Sequence, residues 1–486
     1  MTARPPLPFG QKLGYAAGSA LDGIVSQSLG IFLLFYVTTV CGLPGGLAGI
    51  ALAAGLVVDA VMDPLIGSAS DGWRSRLGRR LPFMLAGLPM VAVLFVAIFS
   101  LPAGLSTWPL FALVTTLSIL LRIGMSLFIL TYSAVGAELS DDYAERSSIV
   151  AWRWGVSMLG TLVAIMLGFG FFLSGPKGTL NRAGYTPFAI TLALIFVVGG
   201  LVAARVVART LDRQHPPVAD EGGLHVRVWR ELGEVFRNRS FRILFGSALL
   251  FFSGLGTHAT LGLHVNTFFW RFTPGQTQLV TLGTFAGLLL GAPLAGPLLK
   301  RLEKRTVLLI GLIGLAVSES LPAGLRLLGV LTLEGDPLVW TIAAIVFVGG
   351  ALMAAAAIAF GSMMADAADE HEHLFGARRE GLYFAGWAFA SKAAAGAGAL
   401  IAGLVLQLIA FPTDVAQHGG AAVVLPPHTT FWLGFFYGPG AGILYLGSIL
   451  ATFLYRLDAG SHAVIQSDLM RRRATAAEAS GSALVP

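Results

Sequence analysis

Residues 57–80 read VVDAVMDPLIGSASDGWRSRLGRR, an apolar run that contains two aspartates and ends in a basic turn. Asp59 and Asp63 are four residues apart, so on a helix they lie on one face about one turn apart. The apolar residues around them form a segment long enough to span a bilayer. At that depth an ionised carboxylate costs about 2.5 to 3.5 kcal/mol or more, and a second one adds like-charge repulsion. A bound cation, a proton or a basic side chain must offset these charges, unless the pair is structural and neutralised by its neighbours.

The composition is that of a polytopic membrane protein. Of the 486 residues, 55% are hydrophobic and 12% are charged, whereas soluble domains average about 25% charged residues. The net charge of +6 arises from short basic clusters between apolar segments. This pattern is typical of the positive-inside rule, so we reject nucleic acid as a partner. The single cysteine, Cys41, excludes an intrachain disulfide framework and a cysteine-based zinc site.

Apolar segments of about 20 residues predict twelve membrane spans. Basic residues cluster in the loops after spans 2, 8 and 10 and in the tail, whereas loops 102–108 and 412–429 contain no Lys or Arg. The positive-inside rule therefore predicts that both termini are cytoplasmic. The Ala-, Gly- and Arg-rich composition favours a bacterial inner membrane. The predicted spans are 14–40, 46–69, 82–101, 109–137, 148–173, 187–209, 241–269, 277–299, 306–328, 338–363, 381–411 and 430–455.

The longest polar interruption separates six spans from six, and the two halves contain a weak internal repeat. Residues 64–67 (PLIG) and 293–296 (PLAG) each lead into a basic pair, as parallel repeats of a transporter would. Ala292 stands in the place of Asp63, so the cation chemistry is expected in the first half. This all-α architecture of two six-helix bundles resembles the major facilitator superfamily. The expected divisions are a bundle at 1–209, a cytoplasmic linker at 210–240, a bundle at 241–457 and a cytoplasmic tail at 458–486.

Four further charged residues within predicted spans are candidates for a functional role, because charge is costly there unless the side chain faces the bundle interior. They are Asp22, Arg122, Arg153 and Lys392. Small residues flank Lys392, so a neighbouring helix can approach closely. We interpret Lys392 as a partner of Asp59 and Asp63, the alternative being a snorkelling side chain without a role. His258 and His264 are interpreted as hydrogen-bonded interior or interfacial residues.

Charged runs after spans 4 and 10 are interpreted as salt bridges that close the cytoplasmic face rather than as metal ligands. No catalytic triad, phosphate-binding loop or metal-ligand spacing is present, so an enzyme is not expected, nor is a cofactor other than a coupling ion. The expected cytoplasmic gate residues are Asp71, Arg79, Arg80, Glu138, Arg146, Asp366 and Arg379.

Three motifs in order carry a family resemblance. They are the DAVMDP stretch at 59–64, the YSAVGAEL stretch at 132–139 with Glu145-Arg146, and Met364-Ala365-Asp366 followed by Glu380-Gly381 and Lys392. They resemble the glycoside-pentoside-hexuronide:cation symporters, whose familiar member is the melibiose permease. The resemblance implies that Asp59 and Asp63 bind the coupling cation, with Na+ as the metal if the protein is sodium-coupled. It also implies that Ser126 assists them, that Lys392 lies near both sites, and that Asp22 and Arg153 contact the substrate.

Departures from the family pattern affect the expected substrate. Ile129 stands where a sugar-binding aspartate is expected, and Thr131 and Ser133 replace a proline and an aromatic residue. With Arg122, Arg153 and Lys392 available, the cavity suits a substrate with a negative group. A uronide, an acidic glycoside or a lysophospholipid head group would each qualify.

We therefore expect a monomeric secondary transporter that couples Na+ or H+ to uptake of a sugar, glycoside or uronide by alternating access. One alternative is a sodium-dependent lysophospholipid transporter of the same family. Another is a transport-incompetent membrane sensor, against which the intact acid pair argues. Expected partners are the small-molecule substrate and membrane lipids.

Overall fold

The computed structural model describes residues 6–140, 142–175, 177–211, 233–376, 379–413, 415 and 424–482. Within these ranges twelve helices are long and apolar enough to cross a membrane, and no residue is in a strand. The predicted all-α fold with twelve spans is confirmed. The expected linker falls largely on 212–232, outside the described residues. The spans are α1 Phe9–Leu33, α2 Gly45–Gly72, α3 Leu81–Ile98, α4 Thr107–Glu138, α5 Ala144–Phe172, α6 Arg182–Arg209, α7 Arg239–Phe269, α8 Pro274–Arg301, α9 Lys304–Leu327, α10 Gly335–Phe375, α11 Glu380–Leu408 and α12 Pro427–Phe453.

The main difference from the predicted bounds is at α10, which continues to Phe375 instead of ending at residue 363. The acidic run after span 10, expected to be a loop, is therefore helical. Gly376 ends the helix in a left-handed conformation with φ 73°, which glycine adopts without steric cost. The added turns carry the acidic side chains beyond the apolar part of the helix, where they can form ion pairs.

A further helix, α13 (Ala459–Ser482), lies against the polar end of α10. The backbone N–H of Ser461 donates to Asp458 Oδ1 (2.8 Å) at its start and holds the pKa of that carboxyl below its usual value. Contacts between carboxylates and imidazole or guanidinium groups then join α13 to α10 along its length. They are His462 Nε2 with Asp369 Oδ2 (3.1 Å), Asp468 Oδ2 with His373 Nδ1 (3.0 Å) and Arg473 Nη2 with Glu372 Oε2 (2.8 Å).

The internal repeat is visible in the backbone as two matching π-helical turns, Tyr36–Val40 and Val265–Phe269. In each turn the N–H groups of the residues that follow reach back five or six positions. The two turns are separated by the same interval as Pro64 and Pro293. The matching bonds are Cys41 N to Tyr36 O and Leu43 N to Val37 O in the first half (both 2.9 Å), and Trp270 N to Val265 O (2.9 Å) and Phe272 N to Asn266 O (2.8 Å) in the second.

The described chain forms two compact units. The first lies within Met1–Asp220, Gly256–Leu282 and Ala395–Tyr437, and the second within Glu221–Leu255, Gly283–Ala394 and Gly438–Pro486. In the first unit α2 and α3 pack on α4, and α1 packs on α5. His264 Nε2 lies 3.0 Å from Thr38 Oγ1 there, so this histidine is the hydrogen-bonded interior residue that was expected. In the second unit α9 packs on α10. The domain boundaries expected from the sequence remain predictions.

Candidate functional site

Asp59 on α2 faces Ser126 on α4. Ser126 Oγ donates to Asp59 Oδ1 over 2.6 Å, and the two residues are 4% and 5% exposed. Gly55, one turn before Asp59, allows this approach, because a Cβ there would lie 3.2 Å from the Ser118 carbonyl oxygen. Carboxylate and hydroxyl oxygens are the ligands that hard cations prefer. The structure thus brings together the acid and the hydroxyl that were expected to hold a cation, and their cation-binding role remains a prediction.

Arg122 lies one turn before Ser126 on α4, and it supplies positive charge to this group of acids. Its guanidinium interacts electrostatically with three carboxylates of the first unit, those of Asp59, Asp22 and Asp63. The sequence predicted that Arg122 contacts the substrate. The interaction of Arg122 with the three acids was not predicted from the sequence. Carboxylates in membrane-spanning segments are costly when they are ionised, and a bound cation or a proton would lower that cost.

Arg153 on α5 is held by residues of α4. Arg153 Nη2 donates to Ser133 Oγ (2.6 Å), and the guanidinium lies 4.7 Å from the centre of the Tyr132 ring. Tyr132 in turn donates through its hydroxyl to the Tyr15 carbonyl oxygen (2.8 Å). Ser133, a departure from the family pattern, therefore positions the arginine that was expected to contact the substrate. That expected contact remains a prediction.

The remaining expected substrate residues are in both units. Asp22 is half-buried on α1, where its carboxylate accepts from Ser26 Oγ (3.1 Å). Lys392 is half-buried on α11, in the second unit. Its pairing with Asp59 and Asp63 remains a prediction.

Four of the expected gate residues form one ion-pair cluster in the first unit. Arg79 pairs with Glu138, and Arg80 Nη1 lies 2.9 Å from the same Glu138 oxygen. Arg80 Nη2 also lies 2.9 Å from Asp71 Oδ1. Both arginine side chains and Glu138 are at most 10% exposed, whereas Asp71 is 48% exposed. The cluster therefore joins the end of α2, the basic loop and the end of α4.

The other expected gate residues also have polar partners in the structure. Arg146 lies in the first turn of α5, Arg379 directly precedes α11, and Asp366 lies in the polar part of α10. The contacts are Arg146 Nε to the Ser140 carbonyl oxygen (2.6 Å), Lys304 Nζ to Asp366 Oδ1 (2.7 Å) and Arg379 Nη2 to Glu234 Oε2 (3.7 Å).

Sequence reasoning missed one half-buried acid, Glu319 on α9. The hydroxyl of Tyr445, a residue with no exposed surface, donates to Glu319 Oε2 over 2.5 Å. The signal was present, since Glu319 is the single acid of the predicted span 306–328. A charged residue inside an apolar span is a candidate for a functional role by default.

Comparisons with known proteins give a matching family model and several similar symporters. The family model described as "MFS/sugar transport protein" matches residues 14–459. The chain is 24% identical to an uncharacterized symporter, sll1374 of Synechocystis, over 96% of this chain and 97% of that one. It is 24% identical to the inner membrane symporter YicJ of Escherichia coli over 82% of each chain. It is 23% identical to YagG of Escherichia coli, a proposed glycoside/cation symporter, over 97% of each chain.

Proposed function

Because the chain belongs to the glycoside-pentoside-hexuronide:cation symporter family of the major facilitator superfamily, we propose that it couples the inward movement of Na+ or H+ to uptake of a sugar, glycoside or uronide. Membership of this family makes the chain a multi-pass membrane transporter of a small molecule and not an enzyme. We further propose that it works as a monomer in a bacterial inner membrane with both termini cytoplasmic. The inner membrane relative YicJ and the distribution of basic loops support that location.

The observation that carries the proposal is the buried Asp59 carboxylate, which accepts from Ser126 and interacts with Arg122. A carboxylate in this position is costly when its charge is unbalanced. A cation or proton that joins Asp59 and Asp63 would reduce their negative charge and change how Arg122 is shared among the acids. The charge state of the acids can therefore alter an adjacent solute site that includes Asp22 and Arg153.

In the proposed cycle, the cation and the solute stabilise the same conformation, and the loaded carrier exposes both to the cytoplasm by alternating access. Coupling between the two ligands must then be reciprocal, because each ligand raises the affinity for the other by the same factor. Without the acids, the solute could still bind but its accumulation would no longer follow the cation gradient.

The test uses Asp59→Asn and Asp63→Asn in proteoliposomes with imposed Na+ or pH gradients. The solute is first identified by thermal-stability screening of the purified protein with neutral sugars, uronides and lysophosphatidylcholine, since a ligand that binds only the folded state raises the midpoint. Both variants should lose gradient-driven accumulation and keep solute exchange. Glu334→Gln removes an acid that is 83% exposed and should transport normally. Full gradient-driven uptake in either aspartate variant would overturn the proposal.

A further inference from the structure

A cavity of about 670 Å³ lies in the first unit where three connections meet: α5 to α6, α7 to α8, and the residues before α12. Two basic residues, Lys177 and Arg271, line it, and none of the described lining residues is acidic. The aromatic rings of Phe268 and Phe272 form part of its wall. Its hydroxyl-bearing lining residues are Ser174, Thr179, Thr267, Thr273 and Thr277.

All three connections follow odd-numbered spans, so they lie on the face opposite the basic loops, which the positive-inside rule assigns to the outside. Basic residues are rare on this face. Two of them, Arg182 and Arg326, donate to backbone carbonyl oxygens of the connections that follow α3 and α9, those of Leu101 and Leu331. Within the described part of the chain, the side chains of Lys177 and Arg271 form no ion pair and no hydrogen bond. Both side chains are exposed in the cavity wall. Their side chains are therefore available to a ligand.

The backbone at Arg271 gives a second, independent reason to assign its side chain a role. Arg271 has φ 57°, in the left-handed region where residues with a Cβ are strained. In the matching turn of the first half, the equivalent residue is Gly42, with φ 85°. Glycine adopts this conformation without steric cost. The second copy of the turn thus has an arginine where glycine would be less strained. A strained residue of this kind indicates that its side chain, here the guanidinium, has a functional role.

We propose that this cavity is an outer binding site for a sugar-sized organic anion, with a carboxylate, sulfonate or phosphate bound between Lys177 and Arg271. A guanidinium and an ammonium form charge-assisted hydrogen bonds to such groups. The serine and threonine hydroxyls would bond to the hydroxyls of the solute. A volume of about 670 Å³ is within the usual range for small-molecule sites. The inference rests on the proposed function, because an imported solute first meets the protein on this face.

The binding test is calorimetry with glucuronate and glucose, which differ only in a carboxylate. The wild type should bind glucuronate at least tenfold more tightly than glucose, and K177Q/R271G should lose this preference. K177R/R271K keeps both charges and should retain it, and Arg76→Gln, which removes an exposed charge from the opposite face, should leave it unchanged. R271G alone relieves the strained turn and should fold at least as well as the wild type. It therefore replaces the double variant in the binding test if the double variant does not fold. Equal binding of the two sugars, or unchanged glucuronate affinity in R271G, would overturn the inference.

Transport measurements separate this site from the proposed central site. For uptake from the outer side, K177Q/R271G should raise the KM for glucuronate at least fivefold and leave the kcat for uptake unchanged. A lower kcat for uptake with an unchanged KM would place the effect on the transport step rather than on outer binding and contradict the inference. If no gradient drives uptake but glucuronate binding depends on Lys177 and Arg271, the outer site stands and the proposed function fails. If a gradient drives uptake but glucuronate binding does not depend on Lys177 and Arg271, the proposed function stands and the outer site fails.

Discussion

Ser126 Oγ donates to Asp59 Oδ1 over 2.6 Å between two packed membrane helices, and both residues are almost completely buried. A hydrogen bond to a charged group contributes about 1.5 to 3 kcal/mol, which is a tenfold effect or more on an equilibrium that depends on it. The bond also fixes the carboxylate orientation, so its loss would affect any ligand that Asp59 holds.

We expect Ser126→Ala to raise the cation concentration for half-maximal uptake at least about tenfold, because Asp59 loses a donor that orients it. The matched control is Ser118→Ala, the same substitution at another buried serine of α4, which should leave the cation dependence unchanged. Cation titrations of initial uptake rates measure both. A Ser126→Ala protein with wild-type cation dependence would show that the bond is only structural.

Arg122 and Asp59 should behave as a coupled pair. Arg122→Gln leaves the carboxylates of Asp59, Asp22 and Asp63 without this guanidinium, so we expect the thermal midpoint to fall by several degrees. Adding Asp59→Asn removes one of the carboxylates that interact with Arg122, so the double variant should be more stable than Arg122→Gln alone. A double-mutant cycle on the unfolding midpoints measures the coupling. Strictly additive effects would argue against a direct interaction.

In the cytoplasmic cluster, Glu138 should matter more than Asp71. Glu138 is buried against both Arg79 and Arg80, whereas Asp71 is half exposed. Removing one partner of a buried pair costs about 3 to 5 kcal/mol, and exposed pairs contribute about 0 to 1 kcal/mol. Glu138→Gln should therefore lower the thermal midpoint clearly more than Asp71→Asn does. Equal shifts in the two variants would contradict the burial of this pair.

Variants of Glu319 test whether cation coupling depends only on the first half of the chain. Glu319→Gln keeps an acceptor for the Tyr445 hydroxyl, so we expect cation-driven uptake and a thermal midpoint within about 2 °C of the wild type. Glu319→Val removes this acceptor from the Tyr445 hydroxyl, so its thermal midpoint should fall below that of Glu319→Gln. Loss of cation coupling in Glu319→Gln would instead place a coupling charge in the second half.

The twelve spans could be predicted because each depends only on the local run of apolar residues, and most bounds agree within a few residues. The end of α10 could not, since hydropathy marks where the apolar segment stops and not where the helix stops. The proximity of Ser126 to Asp59 was expected from the family resemblance. The electrostatic partnership of Arg122 with the acids was not expected, because it depends on which helices pack and how each is rotated. Local sequence patterns do not contain that information.

The contacts of α13 determine what happens to a label attached at the C-terminus. Because His462, Asp468 and Arg473 bind the polar end of α10, a fluorescent protein joined there would be carried by a helix anchored to a membrane span. Its signal would follow the movements of α10 rather than those of a free tail. Shortening the chain after Leu457 to improve crystallisation would remove these contacts. Asp369, His373 and Glu372 at the polar end of α10 would then lose their partners on α13.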